Sequence, residues 1–399
     1  MTFANRHVVL GVTGGIAAYK SCILVRRLVE AGARVDVILS RGAEEFVRPL
    51  TFEALSGRPV LTDLWAPHAA LSHVRLGQEA DLIVVAPATA HLIARLAHGL
   101  ADDLLTSLLL ARTAPLLLAP AMNDAMYAAP PTQANLATLR EHGVHLVGPE
   151  VGPLAEGPSD RPGRMSEPET IVDHAARLLH GHGPLSGRRV VVTAGATREP
   201  LDPVRVVTNR SSGKMGFRLA EAAWERGADV LLIAGPSAEP IPTGVTIERI
   251  TSTAELQAAV ASALPGADVL IMAAAPADYR PAAPADRKRP RSEGTLQVDF
   301  EPTEDILLST REARKSGAVI VGFALETGDA VARGRAKLER KDLDLIVIND
   351  ALEPGAGFEV DTNRVTILDR AGNVTTVPLA GKREVAHAVL TTVEGPLAR

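Results

Sequence analysis

The chain has 399 residues, 46% of them hydrophobic and 22% charged, with a formal net charge of −5. That length leaves room for two domains with cores of their own, and the acidic balance argues against a general nucleic-acid binder, which carries a basic excess. A single cysteine, Cys22, excludes an intrachain disulfide framework and fits a reducing cytoplasm. No run of about 18 apolar residues occurs, and Met1–Val9 has no signal-peptide core. The histidines are scattered, none in HExxH or in zinc spacing with cysteines, which argues against a structural zinc. Arginine is the default cation. Only seven of the 42 basic residues are lysine, at 20, 214, 288, 315, 337, 341 and 382, so a retained lysine marks a candidate phosphate contact.

Val8–Val12 reads as a buried strand delivering the turn Thr13-Gly14-Gly15-Ile16 to a helix, on which Cys22 takes a core position. A second strand, Ala33–Ser40, ends in Ser40. A dinucleotide site would show GxGxxG and an acid at that strand end. GVTGGI and Ser40 disfavour NAD and suit a mononucleotide phosphate at the helix start; on this stretch alone a tight turn without ligand stays the alternative. Leu71–Leu76 contains His73, which by itself says little. Asp81–Ala86 runs into Pro87-Ala88-Thr89-Ala90, and Pro115–Leu118 into Ala119-Pro120-Ala121-Met122-Asn123-Asp124-Ala125-Met126-Tyr127. Ligands of open α/β sheets sit beyond the carboxyl ends of the strands, which places Ser40, Thr89 and Asn123 there.

PAMNDAMY matches the PxMNxxMW/Y motif of flavin-dependent cysteine decarboxylases, and GGIAAYK, PATA and a histidine before the third strand match in the same order. This half resembles phosphopantothenoylcysteine decarboxylase, a homotrimeric FMN protein. The resemblance implies that Gly14, Gly15, Ser40, Pro87, Ala88, Thr89 and Ala90 hold FMN. His73 would be the base at the oxidised centre, and Asn123 would grip the substrate carboxylate. Flavin takes hydride from the carbon bearing the thiol, and the thioaldehyde then serves as electron sink for loss of CO₂. One departure stands out. The family's flap carries a cysteine in an ACG triplet before GRM, the proton donor when hydride returns to the enethiolate. Here Leu154-Ala155-Glu156-Gly157 precedes Pro162-Gly163-Arg164-Met165, with Glu156 in the cysteine's place. A glutamic acid can donate a proton where burial favours its protonated form. Two readings stay open: Glu156 takes over as donor, or it is a solvated flap residue and water protonates.

His180–Gly187 is a glycine-rich break with the boundary near Pro184, giving domains 1–183 and 184–399. Val190–Thr193 opens a second sheet and leads through Ala194-Gly195-Ala196-Thr197 into a long polar loop ending NRSSGK. Asp229–Ala234 ends without an acid, so NAD is again disfavoured. SSGKMG is no P-loop, because Thr208 and Met215 stand where Gly and Ser/Thr are needed, yet a polar loop entering a helix beside Lys214 makes an anion site. Val269–Ala275 runs into Pro276-Ala277-Asp278-Tyr279-Arg280. The basic, proline-rich Ala282–Arg291 follows, read as a mobile lid over phosphates. Val319–Ala324 and Asp344–Ile348 are further strands, and Lys337 and Lys341 share a helix face at i, i+4.

TAGATREPLDPVR, TNRSSGKMG, ADYR, GFALET and LIVIND resemble phosphopantothenate–cysteine ligase, so residues 6–390 look like the bifunctional coenzyme A biosynthesis family of bacteria. That resemblance implies a dimer using CTP and Mg²⁺. Ala274, Ala275, Asp278, Lys288, Thr303, Glu304, Asp305, Ile306, Phe323, Lys337 and Lys341 would contact CTP. Asp278 would also meet the metal, and Asn209 would hold the acyl-cytidylate. The carboxylate of 4′-phosphopantothenate attacks the α-phosphate and releases pyrophosphate; the amine of L-cysteine then displaces CMP. The family's lid lysines read KxKK, of which Lys288-Arg289-Pro290-Arg291 keeps the first. The expected fold is α/β, two Rossmann-like or flavodoxin-like three-layer domains with mainly parallel sheets. The expected assembly is a homo-oligomer of trimers and dimers, with a dodecamer left open. A non-catalytic flavoprotein and a tandem dinucleotide-dependent reductase are the competing readings.

Overall fold

A computed structural model describes residues 2–65, 71–288, 294–326, 330–350 and 360–398. The chain divides into two compact units, Met1–Leu179 and His180–Arg399. Among the described residues no helix is long and apolar enough to cross a membrane.

The first unit runs β1 (His7–Val12), α1 (Ala18–Glu30), β2 (Arg34–Leu39), α2 (Pro49–Ser56), α3 (Ser72–Glu79), β3 (Leu82–Ala88), α4 (Ala90–Ala97), α5 (Leu104–Ala111), β4 (Leu116–Pro120), α6 (Asp124–Ala128), α7 (Pro130–Glu141) and β5 (His145–Leu146). A ribbon of β6 (Glu150–Val151) and β7 (Pro162–Arg164) and the helix α8 (Pro168–His180) follow. The five-stranded sheet has the order β2-β1-β3-β4-β5 and is parallel throughout. Strand residues alternate between two cores. Val8, Leu10 and Val12 pack with α1 and α8 through Leu24, Leu28 and Ile171, whereas Val9, Ile83 and Val85 pack with α3, α4 and α5 through Leu76, Ile93 and Leu105. Burial on both faces explains why these strands read as unbroken apolar runs.

The second unit continues with β8 (Arg189–Ala194), β9 (Arg198–Pro200), β10 (Val206–Thr208), α9 (Lys214–Glu225), β11 (Asp229–Ala234), β12 (Thr246–Arg249), α10 (Thr253–Ala263), β13 (Val269–Met272), β14 (Tyr279–Pro281), β15 (Phe300–Pro302) and α11 (Ile306–Ser309). It closes with β16 (Val319–Glu326), α12 (Ala330–Arg340), β17 (Leu345–Asp350), β18 (Thr362–Asp369), β19 (Val374–Gly381) and α13 (Lys382–Leu397). The eight-stranded sheet, β12-β11-β8-β13-β16-β17-β18-β19, is parallel as far as β17 and antiparallel beyond it. One face packs on α9 and α13, the other on α10, α11 and α12. A Cβ at Gly216 would stand 2.5 Å from the Cβ of Ala194, so glycine lets α9 lie directly on β8.

A buried ionic knot ties the first unit's edge. Asp36 accepts from His7 Nε2 at 2.7 Å and from Arg58 Nε at 2.6 Å, with its side chain 9% exposed. Burial alone would raise this carboxyl's pKa; the hydrogen bonds and charges of His7 and Arg58 more than offset that and hold it at about 2. A depressed carboxyl contributes stability above its unfolded-state pKa that is lost as pH falls toward the folded one. Asp36→Asn should therefore destabilise the chain by about 2 kcal/mol at pH 7. Urea unfolding at pH 7 and at pH 3 should show the gap from the parent narrowing at the lower pH.

Candidate active sites at the carboxyl edges

In the first unit, β1 ends in a turn that other strands hold open. Thr13 Oγ1 donates to Pro87 O at 2.7 Å and accepts from the Thr89 amide at 3.2 Å. Thr89 Oγ1 in turn caps α4 by accepting from Leu92 N. A Cβ at Gly14 would approach the Gly42 backbone to 2.7 Å, so only glycine lets the two turns meet. Between them lies a cleft of about 890 Å³ lined by Gly14, Gly15, Ser40, Thr89, Ala90, Asn123 and Glu156 among others. That volume suits a cofactor-sized ligand. The N-cap of helix α1 is Ala17, which has no side chain to cap the first-turn amides, and no acidic residue occupies that turn. A helix start with no acidic residue and no side-chain cap, beside the hydroxyls of Thr13, Ser40 and Thr89 at one end of the cleft, fits the phosphate and ring of FMN.

Asn123 has a fixed orientation. Its Oδ1 accepts from Ala125 N at 2.9 Å and Met126 N at 3.3 Å, capping α6. That leaves its Nδ2 to donate to Glu156 Oε1 at 3.3 Å. Glu156 sits at the tip of a tight turn closed by Leu154 N to Gly157 O at 2.8 Å and Gly157 N to Leu154 O at 3.1 Å. The β6/β7 ribbon carries this turn, and the Met122 amide donates to Gly163 O at 3.0 Å, binding the ribbon to the Asn123 loop. Ser159 Oγ adds a bond to Asp124 at 2.7 Å. Glu156 is exposed in the single chain.

Ser40, Thr89 and Asn123 thus converge, as do Gly14, Gly15, Ala90 and Glu156. Pro87 and Ala88 do not line the cleft; they support it from within β3, Pro87 through the carbonyl that Thr13 reaches. His73 is the second residue of α3 and also lies outside the lining, with a buried Nδ1 that has no hydrogen-bond partner among the described residues. Lys20 lines the cleft yet is buried and donates to Glu167 at 2.9 Å and Met165 O at 3.3 Å, so its charge is already paired. Thr13, part of the glycine turn but given no role from sequence, lines the cleft, as does Arg95, which no motif flags and which makes a 2.8 Å bond to Asp103. Cys22 packs partly into the core, where burial pushes its thiol pKa up, as suits a structural residue.

In the second unit the loop after β13 takes the corresponding place. The Ala274 amide donates to Thr193 Oγ1 at 3.1 Å and the Ala275 amide to Gly195 O at 2.8 Å. Asn209 Nδ2 bridges Ala275 O at 3.2 Å and Pro276 O at 3.0 Å. Thr303 closes on the same loop, its hydroxyl to Ala277 O at 2.6 Å and its amide to Asp278 O at 2.9 Å. Asp278 and Glu304 are exposed beside it. Asp305 pairs with Lys341 Nζ at 2.9 Å. Lys337 lies in the last turn of α12, whereas Lys341 follows the helix end, its amide still bonded to Lys337 O at 3.0 Å. Ile306 belongs to the core under α11 and α12, while Phe323 packs toward α9 and α13 on the other face. Lys288 is exposed in the connection between β14 and β15, which pair as a short antiparallel hairpin; Arg289, Pro290 and Arg291 lie outside the described residues. Lys214 stands at the start of α9 and is paired with Asp361 at 2.6 Å.

Two family models match the chain, one over each half. Residues 2–180 match the Flavoprotein family, and residues 185–397 match the family described as DNA/pantothenate metabolism flavoprotein C-terminal domain. The coenzyme A biosynthesis bifunctional protein CoaBC of Mycobacterium bovis is 46% identical over 403 residues, covering 97% of this chain and 96% of that one. The protein of the same name from Bacillus subtilis is 44% identical over 394 residues, 98% of this chain and 97% of its own. A solved C-terminal domain of CoaBC aligns at 36% identity with a TM-score of 0.47, covering 54% of this chain and 98% of that one. With a flavoprotein half, a pantothenate-metabolism half and full-length relatives of this identity, the chain belongs to the bifunctional decarboxylase–ligase family of coenzyme A biosynthesis.

Proposed function

We propose that residues 184–399 couple 4′-phosphopantothenate to L-cysteine with CTP through an acyl-cytidylate, and that residues 1–183 decarboxylate the product to 4′-phosphopantetheine. The observation that carries the first-half reading is the amide of Asn123, free of its helix cap on one side only and directed at a carboxylate. FMN, when bound, supplies the acceptor and later the donor of hydride for the carbon bearing the thiol. Asn123 binds the substrate carboxylate without neutralising it, so the charge can leave as CO₂. Seating that carboxylate puts it beside Glu156 against one shared amide donor. Two carboxylates there repel, and a proton on Glu156 relieves the repulsion. That proton then stands ready for the carbon that lost CO₂, next to the sulfur-bearing carbon that takes hydride back, with Glu156 in the role of the family's flap cysteine. His73 does not line the cleft that holds Asn123, which supports a trimer in which a neighbouring copy brings its His73 to this cleft.

In the ligase half the carboxylate oxygen of 4′-phosphopantothenate bonds to the α-phosphorus and the bond to pyrophosphate breaks. The cysteine nitrogen then attacks the acyl carbon and CMP leaves. Asp278 is an open carboxylate at the loop edge, and Mg²⁺ typically takes one or two carboxylates, substrate phosphates and several waters, so it fits there. Lys288, Lys337 and Lys341 are suited to charge that builds on the transferring phosphoryl group. The ligase half is read as a dimer.

Mass spectrometry of products from 4′-phosphopantothenoylcysteine tests the decarboxylase half. The parent should give mass loss equal to CO₂ alone. Glu156→Gln keeps the acceptor for Asn123 but has no proton to give, and should end two hydrogens lighter with bleached flavin. A Glu156→Gln product identical to the parent's would remove Glu156 from the role. Asn123→Ala should lower decarboxylase kcat/KM by about 10- to 100-fold, the worth of a hydrogen bond to a charged group. Lys288→Ala should slow acyl-cytidylate formation by about 100-fold with flavin binding intact; unchanged pyrophosphate release would free Lys288 of its assignment.

A further inference from the structure

Beneath the loop that ends in Asp278 runs a chain of buried hydrogen bonds with one consistent direction. The Ala277 amide can only donate, and it stands 2.9 Å from Thr197 Oγ1. Thr197 Oγ1 lies 2.9 Å from Thr253 Oγ1. Thr253 has one hydroxyl proton, and Glu199 Oε1, a charged acceptor 2.8 Å away, takes it in preference to Ala277 O at 3.5 Å. The Thr253 proton therefore goes to Glu199, and Thr197 must give its own to Thr253. The same Glu199 oxygen accepts the Thr253 amide at 2.8 Å, in the first turn of α10. Glu199 and Thr253 are each 3% exposed, Thr197 0% and Ala277 6%, so water does not compete with the sequence of bonds.

The four groups come from three separate segments: the strand β9, the start of α10 and the loop after β13. Burying a carboxylate is unfavourable unless it is well hydrogen-bonded, and an apolar side chain would fill the space with less cost. What the carboxylate adds is polarity. As an acceptor it aims the Thr253 hydroxyl, which aims the Thr197 hydroxyl, which then has a lone pair turned to the Ala277 amide. The carbonyl of the same residue is held from the other side by Thr303 Oγ1 at 2.6 Å. The Ala277 peptide is thereby fixed at both ends, one residue before Asp278 and one after Pro276, whose carbonyl meets Asn209.

We propose that Glu199 is a positioning residue for the nucleotide step, acting through Thr253 and Thr197 to set the peptide that presents Asp278. This inference rests on the ligase reading given above. It treats the relay as one unit, so cutting it at either end should have the same effect, and cutting it twice should add little.

The test uses the full-length, FMN-loaded protein and follows pyrophosphate release from CTP in the presence of 4′-phosphopantothenate. Glu199→Ala and Thr197→Val should each lower kcat/KM for CTP by about tenfold with KM for cysteine unchanged. Glu199→Gln should recover most of the loss, because its amide oxygen can take both Thr253 bonds. The double variant Glu199→Ala/Thr197→Val should be no worse than the poorer single one. Multiplying losses in the double variant, an unaltered kcat/KM for CTP in Glu199→Ala, or a Gln variant as poor as the Ala one would each overturn the relay. Thermal unfolding of the same samples reports that the second unit is folded, and Thr197→Val with Thr253→Val gives the same cycle if Glu199→Ala does not fold. A parent protein that releases no pyrophosphate would instead reject the ligase reading and this inference with it.

Discussion

Strands buried on both faces admit polar side chains along their length only where these are paired, as His7 and Asp36 are, and both halves of this chain are arranged around that constraint. In the first sheet Val8 to Val12 alternate between two apolar layers, and in the second Val190 to Val192 do the same. Chemistry is pushed past the carboxyl ends, where turns deliver Thr13, Ser40, Thr89 and Asn123 in one unit and Thr197, Ala275 and Asp278 in the other. Glycines at the crossing points matter because the turns must touch. Gly14 against Gly42, and Gly216 against Ala194, are contacts that a single added carbon would force apart.

The same edge is used in two ways. In the first unit Asn123, half-buried, follows β4, while the exposed Glu156 facing it is carried by a short two-stranded ribbon. Such a segment opens at little cost, which suits a cleft that must admit a substrate. In the second unit the loop before Asp278 is held from beneath by threonine hydroxyls, each with a buried partner. Groups that contact a transferring phosphoryl do best when they need no rearrangement, and such bonds hold them in place beforehand.

Local patterning made the parallel strands, the two glycine turns and the convergence of Ser40, Thr89 and Asn123 legible, because all of them follow from where an apolar run stops. Side-chain partners far along the chain were not legible. Lys20 and Lys214 stand out as retained lysines, but nothing in the pattern shows the carboxylates they pair with, Glu167 and Asp361. Each pairing joins residues 147 apart, a distance at which periodicity carries no information. His73 could be placed before β3 but not on a face of α3. The Glu199 relay is invisible for the same reason, since threonines in strands and turns are usually read as propensity rather than as wiring. The antiparallel pair β18 and β19 escaped because its alternation is half-buried and weak beside the parallel strands.

The helix cap on Asn123 has a consequence for how the first site empties. With Oδ1 engaged by Ala125 and Met126, the residue can offer its partner hydrogens and nothing else. On the reading proposed here, the group it holds is the very one the reaction removes. Once CO₂ has gone, the product has no carboxylate left to occupy the amide, and Glu156 is the nearest acceptor. The catch is undone by the chemistry it served, and the flap's own carboxylate resets it for the next molecule.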